Sequence, residues 1–287
     1  MYHDYTQDEL RSYCRSCIET MEVWARRLIH EKMTETYGND YLNATRDGGE
    51  PLVKKDIKKH VQNMVEKEPG RFNRPVDTLF IDHIIYFLCN PKWYKNLFKE
   101  AMDYAYPQGC DEAREYLSRL VPIRNPLSHS NPISMRQVEQ AICYSHDFVE
   151  GLKQYYKDRG EDQMWNVPKI IKVKDSLGNV FESITEKMSI GASVTVPQYL
   201  RSGEKYSVEI EVDSSFKPDE YDIKWRMSGK NTADFNNSKR LTVDLNLSDV
   251  GETTIITCTV TQRKDWHRFG NHDSCVNVHL KVLPPVE

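Results

Sequence analysis

Residues 157–169 read KDRGEDQMWNVPK, and the spacing of apolar residues differs on its two sides. Before it, Val138, Ala141, Ile142, Ser145, Phe148, Val149 and Leu152 recur at intervals of three and four, the stripe of one helix face. After it, KYSVEIEV (205–212) alternates apolar and polar residues, the pattern of a strand with one buried side. One element type cannot carry both periods. The chain is therefore expected to form two domains, an all-α bundle over 1–160 and an all-β unit over 169–287, joined by a linker at 161–168. Its 287 residues are enough for two cores.

Working back from the boundary, the helical period repeats. Leu10, Cys14, Cys17, Ile18, Met21, Trp24, Ala25 and Leu28 predict a long first helix. Val53, Ile57, Val61 and Met64 form a second stripe, and Phe80, Ile81, Ile84, Ile85 and Leu88 a third. Asn90 before Pro91 has the form of a helix cap and first turn, followed by Tyr94, Leu97, Phe98, Ala101 and Met102. Ala113, Leu117, Leu120 and Val121 mark another helix, and Ser134 with Gln137 makes a capping box for the last. Working forward, YDIKW (221–225), RLTVDLNL (240–247), TTIITCTV (253–260) and CVNVHLKV (275–282) follow at sandwich spacing, separated by Gly, Asp, Asn and Ser clusters.

Composition excludes several classes. A net charge of −4 does not suit indiscriminate coating of nucleic acid, although a local basic site is compatible with it. No apolar run approaches the ~20 residues that a membrane span needs. The first ten residues, MYHDYTQDEL, lack a secretory pattern. The expectation is a soluble, cytoplasmic protein whose seven cysteines are free thiols. No phosphate-cradling glycine motif and no G-x-S-x-G occurs.

The most informative motif is VPIRNPLSHSNPI (121–133). Asn125 is expected to cap a turn beginning at Pro126, with Asn131 and Pro132 ending it before Ser134 opens the next helix. RNPLSH (124–129) then reads as a short, stiff helical turn between two longer helices. Arg124 and His129 would lie roughly 140° apart about its axis, given 3.6 residues per turn. His129 titrates near neutrality and can accept or donate a proton. Arg124 is permanently charged and can hold a phosphate as negative charge develops. Asn125 would orient the turn or the histidine, and Ser128 would either contact a phosphate or, as a small residue, serve packing.

IRNPLSHSNPIS resembles the R-N-x-x-x-H signature of the HEPN superfamily, small helical bundles that include RNA-cleaving toxins and nucleases. The motif precedes the last long helix, as in that family, and YGNDYL (37–42) resembles the Tyr-Gly-x-Asp-aromatic segment of one HEPN branch. Over residues 1–155 the resemblance implies metal-independent RNA cleavage, with Arg124, Asn125 and His129 catalytic. RNA supplies its own nucleophile, the 2′-OH. The motif offers one histidine per chain, so a two-fold homodimer is expected to supply both acid and base in one cleft. Neither a cofactor nor a metal is expected. By family analogy the setting would be antiphage defence or a toxin system. The alternative is an inactive bundle that binds RNA or serves as an interaction subunit.

Other candidates are weaker. Lys54, Lys55, Lys58 and Lys59 in LVKKDIKKH form a basic face able to track an RNA backbone. Cys14 and Cys17 have metal-ligand spacing but fall on the apolar stripe, so they read as core thiols. His30, His60, His83 and His146 stand alone in the sequence. Trp93, Tyr94 and Phe98 read as packing or as part of a dimer interface. In the second half, Trp225 and Cys258 resemble the strand C tryptophan and strand F cysteine of an immunoglobulin-like sandwich, with an apolar Ile210 or Val212 where the partner cysteine would stand. Arg263, Lys264, Trp266, His267, Arg268 and Phe269 crowd one loop, whose aromatics either stand exposed among basic residues, suited to RNA, a trigger or a protein partner, or fold back over the end of the sandwich.

Overall fold

The structure is a computed structural model that describes residues 6–46, 48–68, 71–72, 74–128, 131–182 and 191–286. The chain divides into two compact units. One comprises Met1–Pro69 and Arg74–Asp162, the other Gly70–Asn73 and Gln163–Glu287.

The first unit is helical. α1 (Gln7–Tyr37) opens with a capping box in which Thr6 accepts from the Glu9 backbone and Glu9 reaches back. Every residue of its expected stripe is buried. α2 (Lys55–Lys67) buries Ile57 and Val61, a 3₁₀ turn spans Pro75–Thr78, and α3 (Ile81–Leu88) follows. Asn90 caps the next helix as expected, accepting from the backbone of Lys92 and Trp93. That helix runs as α4 (Pro91–Trp93), a π-helical turn (Tyr94–Phe98) and α5 (Lys99–Met102), with Trp93, Tyr94 and Phe98 in the core. α6 (Cys110–Ser128) and α7 (Met135–Asp158) complete the bundle, α7 starting from the expected Ser134–Gln137 box.

The stretch expected to be a linker contains a one-turn helix, α8 (Asp162–Trp165), and a fully buried Val167. Periodicity gave no sign that residues 71–72, far upstream, belong with the second unit. There the Arg71 carbonyl accepts from the Glu182 N–H at 3.3 Å, and its guanidinium lies 3.1 Å from the Glu182 carboxylate.

Among the described residues, the second unit holds two four-stranded sheets. One has the order β2 (Val180–Glu182), β1 (Ile170–Asp175), β4 (Lys205–Val212), β6 (Arg240–Asp244), and all its pairs are antiparallel. The other has the order β3 (Ala192–Arg201), β8 (Ser274–Leu283), β7 (Gly251–Gln262), β5 (Tyr221–Met227). In it β3 runs parallel to β8, and its ladder breaks between Thr195 and Tyr199. Pro197 lies in that gap, and a residue without an N–H is tolerated at a sheet edge. Alternation does what the pattern requires: Tyr206, Val208, Ile210 and Val212 are buried in β4, and Val276, Val278, Leu280 and Val282 in β8. Trp225 and Cys258 are direct cross-strand partners and both are buried. β6 stops at Asp244, short of the expected Leu247, because 247–249 turn into a 3₁₀ helix capped by Asn246. The seven cysteines are free thiols. Among the described residues, no helix is long and apolar enough to cross a membrane.

Candidate functional site around Arg124

Arg124 and Asn125 do not belong to a separate capped turn. α6 continues through both, with Pro122 and Pro126 inside it, so Asn125 is an exposed helical residue and not a cap. Each proline removes one backbone donor, a cost of about 3 kcal/mol or more in a helix interior. The stripe Leu117, Leu120, Ile123 and Leu127 is fully buried and holds the helix through that stretch. Arg15 donates to the Leu127 carbonyl, and the Asn131 N–H closes on the Pro126 carbonyl at 2.9 Å. His129 and the Ser128 side chain lie outside the described residues, so their expected placement stays a proposal.

The Arg124 guanidinium faces two groups. Its Nε lies 3.6 Å from Glu22 Oε1, and its central carbon sits 4.9 Å from the Phe80 ring centre. Glu22 is a carboxylate inside the apolar stripe of α1. Arg26 donates to its other oxygen at 2.7 Å and also to the Leu79 carbonyl at 2.9 Å. Burial raises the pKa of Glu22, while the charges of Arg26 and Arg124 oppose that shift.

Phe80 gathers two of the histidines that stand alone in the sequence. The His60 ring centre is 4.5 Å from that of Phe80 and 4.7 Å from that of His83, and His83 lies nearly parallel to Phe80 at 5.9 Å. The hydrogen bonds fix the tautomers. His60 Nε2 donates to the Thr78 carbonyl at 2.9 Å. His83 Nδ1 accepts the Phe80 N–H at 3.3 Å, leaving a proton on Nε2. Burial lowers the pKa of His83, and the neighbouring His60 adds to that, against Asp82 and Asp56. The other two histidines also have neighbours: His146 Nε2 is 3.7 Å from the Cys17 sulfur, and His30 Nδ1 is 3.5 Å from the Tyr41 hydroxyl. Cys14 and Cys17 are core thiols, pushed up to about 11 and about 12 by burial. Among the described residues, no group of three or more His, Cys, Asp or Glu side chains could hold a metal ion.

The lysine run divides. Lys54, Lys55 and Lys59 are exposed, with Lys54 Nζ 4.8 Å from the Tyr86 ring centre. Lys58 instead lines a pocket of about 230 Å³ together with His30, Asp40 and Tyr41. The YGNDYL segment therefore forms part of a pocket wall, and Tyr41 is buried within it. Because His60 lies on α2 and Phe80 caps α3, the lysine helix and Arg124 border one cluster of rings. Sequence reasoning missed Glu22, His60, Phe80 and His83. One signal was available: a glutamate placed among Met21, Trp24 and Ala25 demands buried cationic partners.

In the second unit the aromatic loop is more tightly tied than expected. Asp273 is fully buried and accepts from Gln262 N at 2.7 Å, from Arg268 N at 2.8 Å, and has His267 Nδ1 at 3.2 Å. Trp266, His267, Arg268 and Phe269 are half-buried. Lys264 lies over Trp266 and Arg268 over Phe269, while Arg263 pairs with Asp222 at 2.8 Å. Lys264 and Arg263 remain exposed.

Comparison with protein-family models and with curated proteins finds no match to this chain.

Proposed function

We propose that the chain is a metal-independent endoribonuclease, with a HEPN-like helical unit and an immunoglobulin-like sandwich that recognises a trigger, a partner or the RNA. In this reading Arg124 holds the scissile phosphate and His129 moves a proton. Two copies meeting along the motif supply the second histidine, and the setting is antiphage defence or a toxin system. Attack of the 2′-oxygen on phosphorus expels the 5′-oxygen, and a positioned histidine contributes roughly 10²–10⁴-fold to such proton transfer. One observation supports this reading most: Arg124 borders a cluster of rings that bears two imidazoles, beside the exposed lysines of α2.

The test is cleavage of structured RNAs in EDTA by wild type and His129→Ala, with solution mass measured in parallel. Wild type should cut as a dimer and the variant should not. Equal cleavage by both would end the proposal. A second reading, a non-catalytic RNA-binding or interaction subunit, has its own observation in favour. Arg124 faces the buried Glu22 carboxylate, a contact that serves the bundle whether or not RNA is cut.

A further inference from the structure

The Phe80 cluster carries an assignment that the R-N-x-x-x-H motif does not. Phe80 is 37% exposed although it is aromatic and sits at the head of α3. Three nitrogen-bearing side chains from three elements surround its ring: Arg124 of α6, His60 of α2 and His83 of α3. The Arg124 guanidinium, 4.9 Å from the ring centre, carries several N–H donors in one plane. The hydrogen bonds leave a donor at His83 Nε2, and His60 Nδ1 adds a second ring nitrogen. Lys59, next to His60, and Lys55, one turn earlier, are exposed on α2. The opposing charges are Asp56, Asp82 and Glu22, and Glu22 is buried and already bonded to Arg26.

An exposed ring set among half-buried imidazoles and cationic side chains has the elements of a single-stranded nucleic-acid contact. The rings take a base without reading its identity, and the cations take the backbone. We infer that Phe80, Arg124, His60 and His83 form a subsite for single-stranded RNA, with a phosphodiester on the nitrogens and a base against the rings. The inference rests on RNA being the ligand, as in the function proposed above, and it does not need cleavage. A duplex cannot use this subsite, because its bases are already stacked and paired.

The test uses the full chain and a short, fluorescent, fully 2′-O-methylated single-stranded oligonucleotide, which has no 2′-OH to attack. Binding is read by anisotropy, with circular dichroism to check folding. Phe80→Leu keeps the apolar volume and removes the ring. It should weaken binding by about tenfold or more, on the scale of one lost base–aromatic stack. Its salt dependence should be unchanged, since no phosphate contact is lost, and Phe80→Tyr should restore affinity. The double variant His60→Gln/His83→Gln, which leaves the ring in place, should also bind more weakly. Wild-type affinity in either Phe80→Leu or the double variant would overturn the subsite, and so would a wild-type chain that binds no single-stranded oligonucleotide. A chain that binds through Phe80 yet cuts no natural RNA would retain the subsite and refute the nuclease.

Discussion

Replacing Arg124 by glutamine separates a phosphate-holding arginine from one that mainly holds the bundle together. Two of its contacts contribute to the cost. The cation–π contact with Phe80, at 4.9 Å and half-exposed, contributes about 0.5–1 kcal/mol. The approach to Glu22 is 3.6 Å, beyond hydrogen-bonding distance, and for a partly solvated arginine such a pair contributes about 1 kcal/mol or less. Glu22 keeps its bond to Arg26 at 2.7 Å in the variant, so no buried charge is left alone. Arg124→Gln should therefore lose about 1–2 kcal/mol, and a domain of this size melts about 2–4 °C lower for each kcal/mol. Arg26→Gln breaks the bonded pair and two donations to the Leu79 carbonyl, and should lose about 3–5 kcal/mol. Urea titration followed by far-UV circular dichroism, which reports on the helical unit, measures both. If Arg124→Gln loses as much stability as Arg26→Gln, Arg124 is a structural keystone, and loss of RNA cleavage in the variant would say nothing about chemistry.

Three further outcomes follow from other contacts. A methyl group at Gly151 in α7 would stand 2.8 Å from Ala105 Cβ and 2.9 Å from its backbone nitrogen, so Gly151→Ala should lower the melting temperature by the equivalent of about 1–3 kcal/mol, and an unchanged melt would refute that close approach. Burial lowers the pKa of His30, His83 and His146, so the unfolded chain takes up protons that the folded chain resists. Stability should be full above the ordinary histidine value of about 6.5 and fall as pH drops below it, with a smaller fall in His83→Gln; urea midpoints on either side of that value check the sign. Asp273→Asn removes a buried carboxylate that gathers Gln262, Arg268 and His267, and should cost about 1.5–3 kcal/mol for each charged hydrogen bond not replaced. Faster amide exchange over 263–272 would show the loop released, and unchanged exchange would contradict the anchoring role.

The positions of most helices and strands were legible because a period of 3.6 or 2 is imposed by the backbone itself. The stripe of α1, the Ser134 cap and the alternation of β4, β5, β7 and β8 are local patterns, and the structure reproduces them. The residues around Arg124 were illegible for the opposite reason. Glu22, His60, Phe80 and His83 come from α1, α2 and the head of α3, and no local period brings them to α6. Pro126 misled in the same way, since its local preference for a first helical position was outweighed by burial of Leu117, Leu120, Ile123 and Leu127, which carries α6 through it.

The sequence by itself determined that a helical half precedes a stranded half, and which face of each element is apolar. Only the tertiary structure decided which polar groups meet on those faces. Hydrophobic burial is non-directional and can be read along one element, whereas a side-chain cluster depends on distances among several packed elements at once.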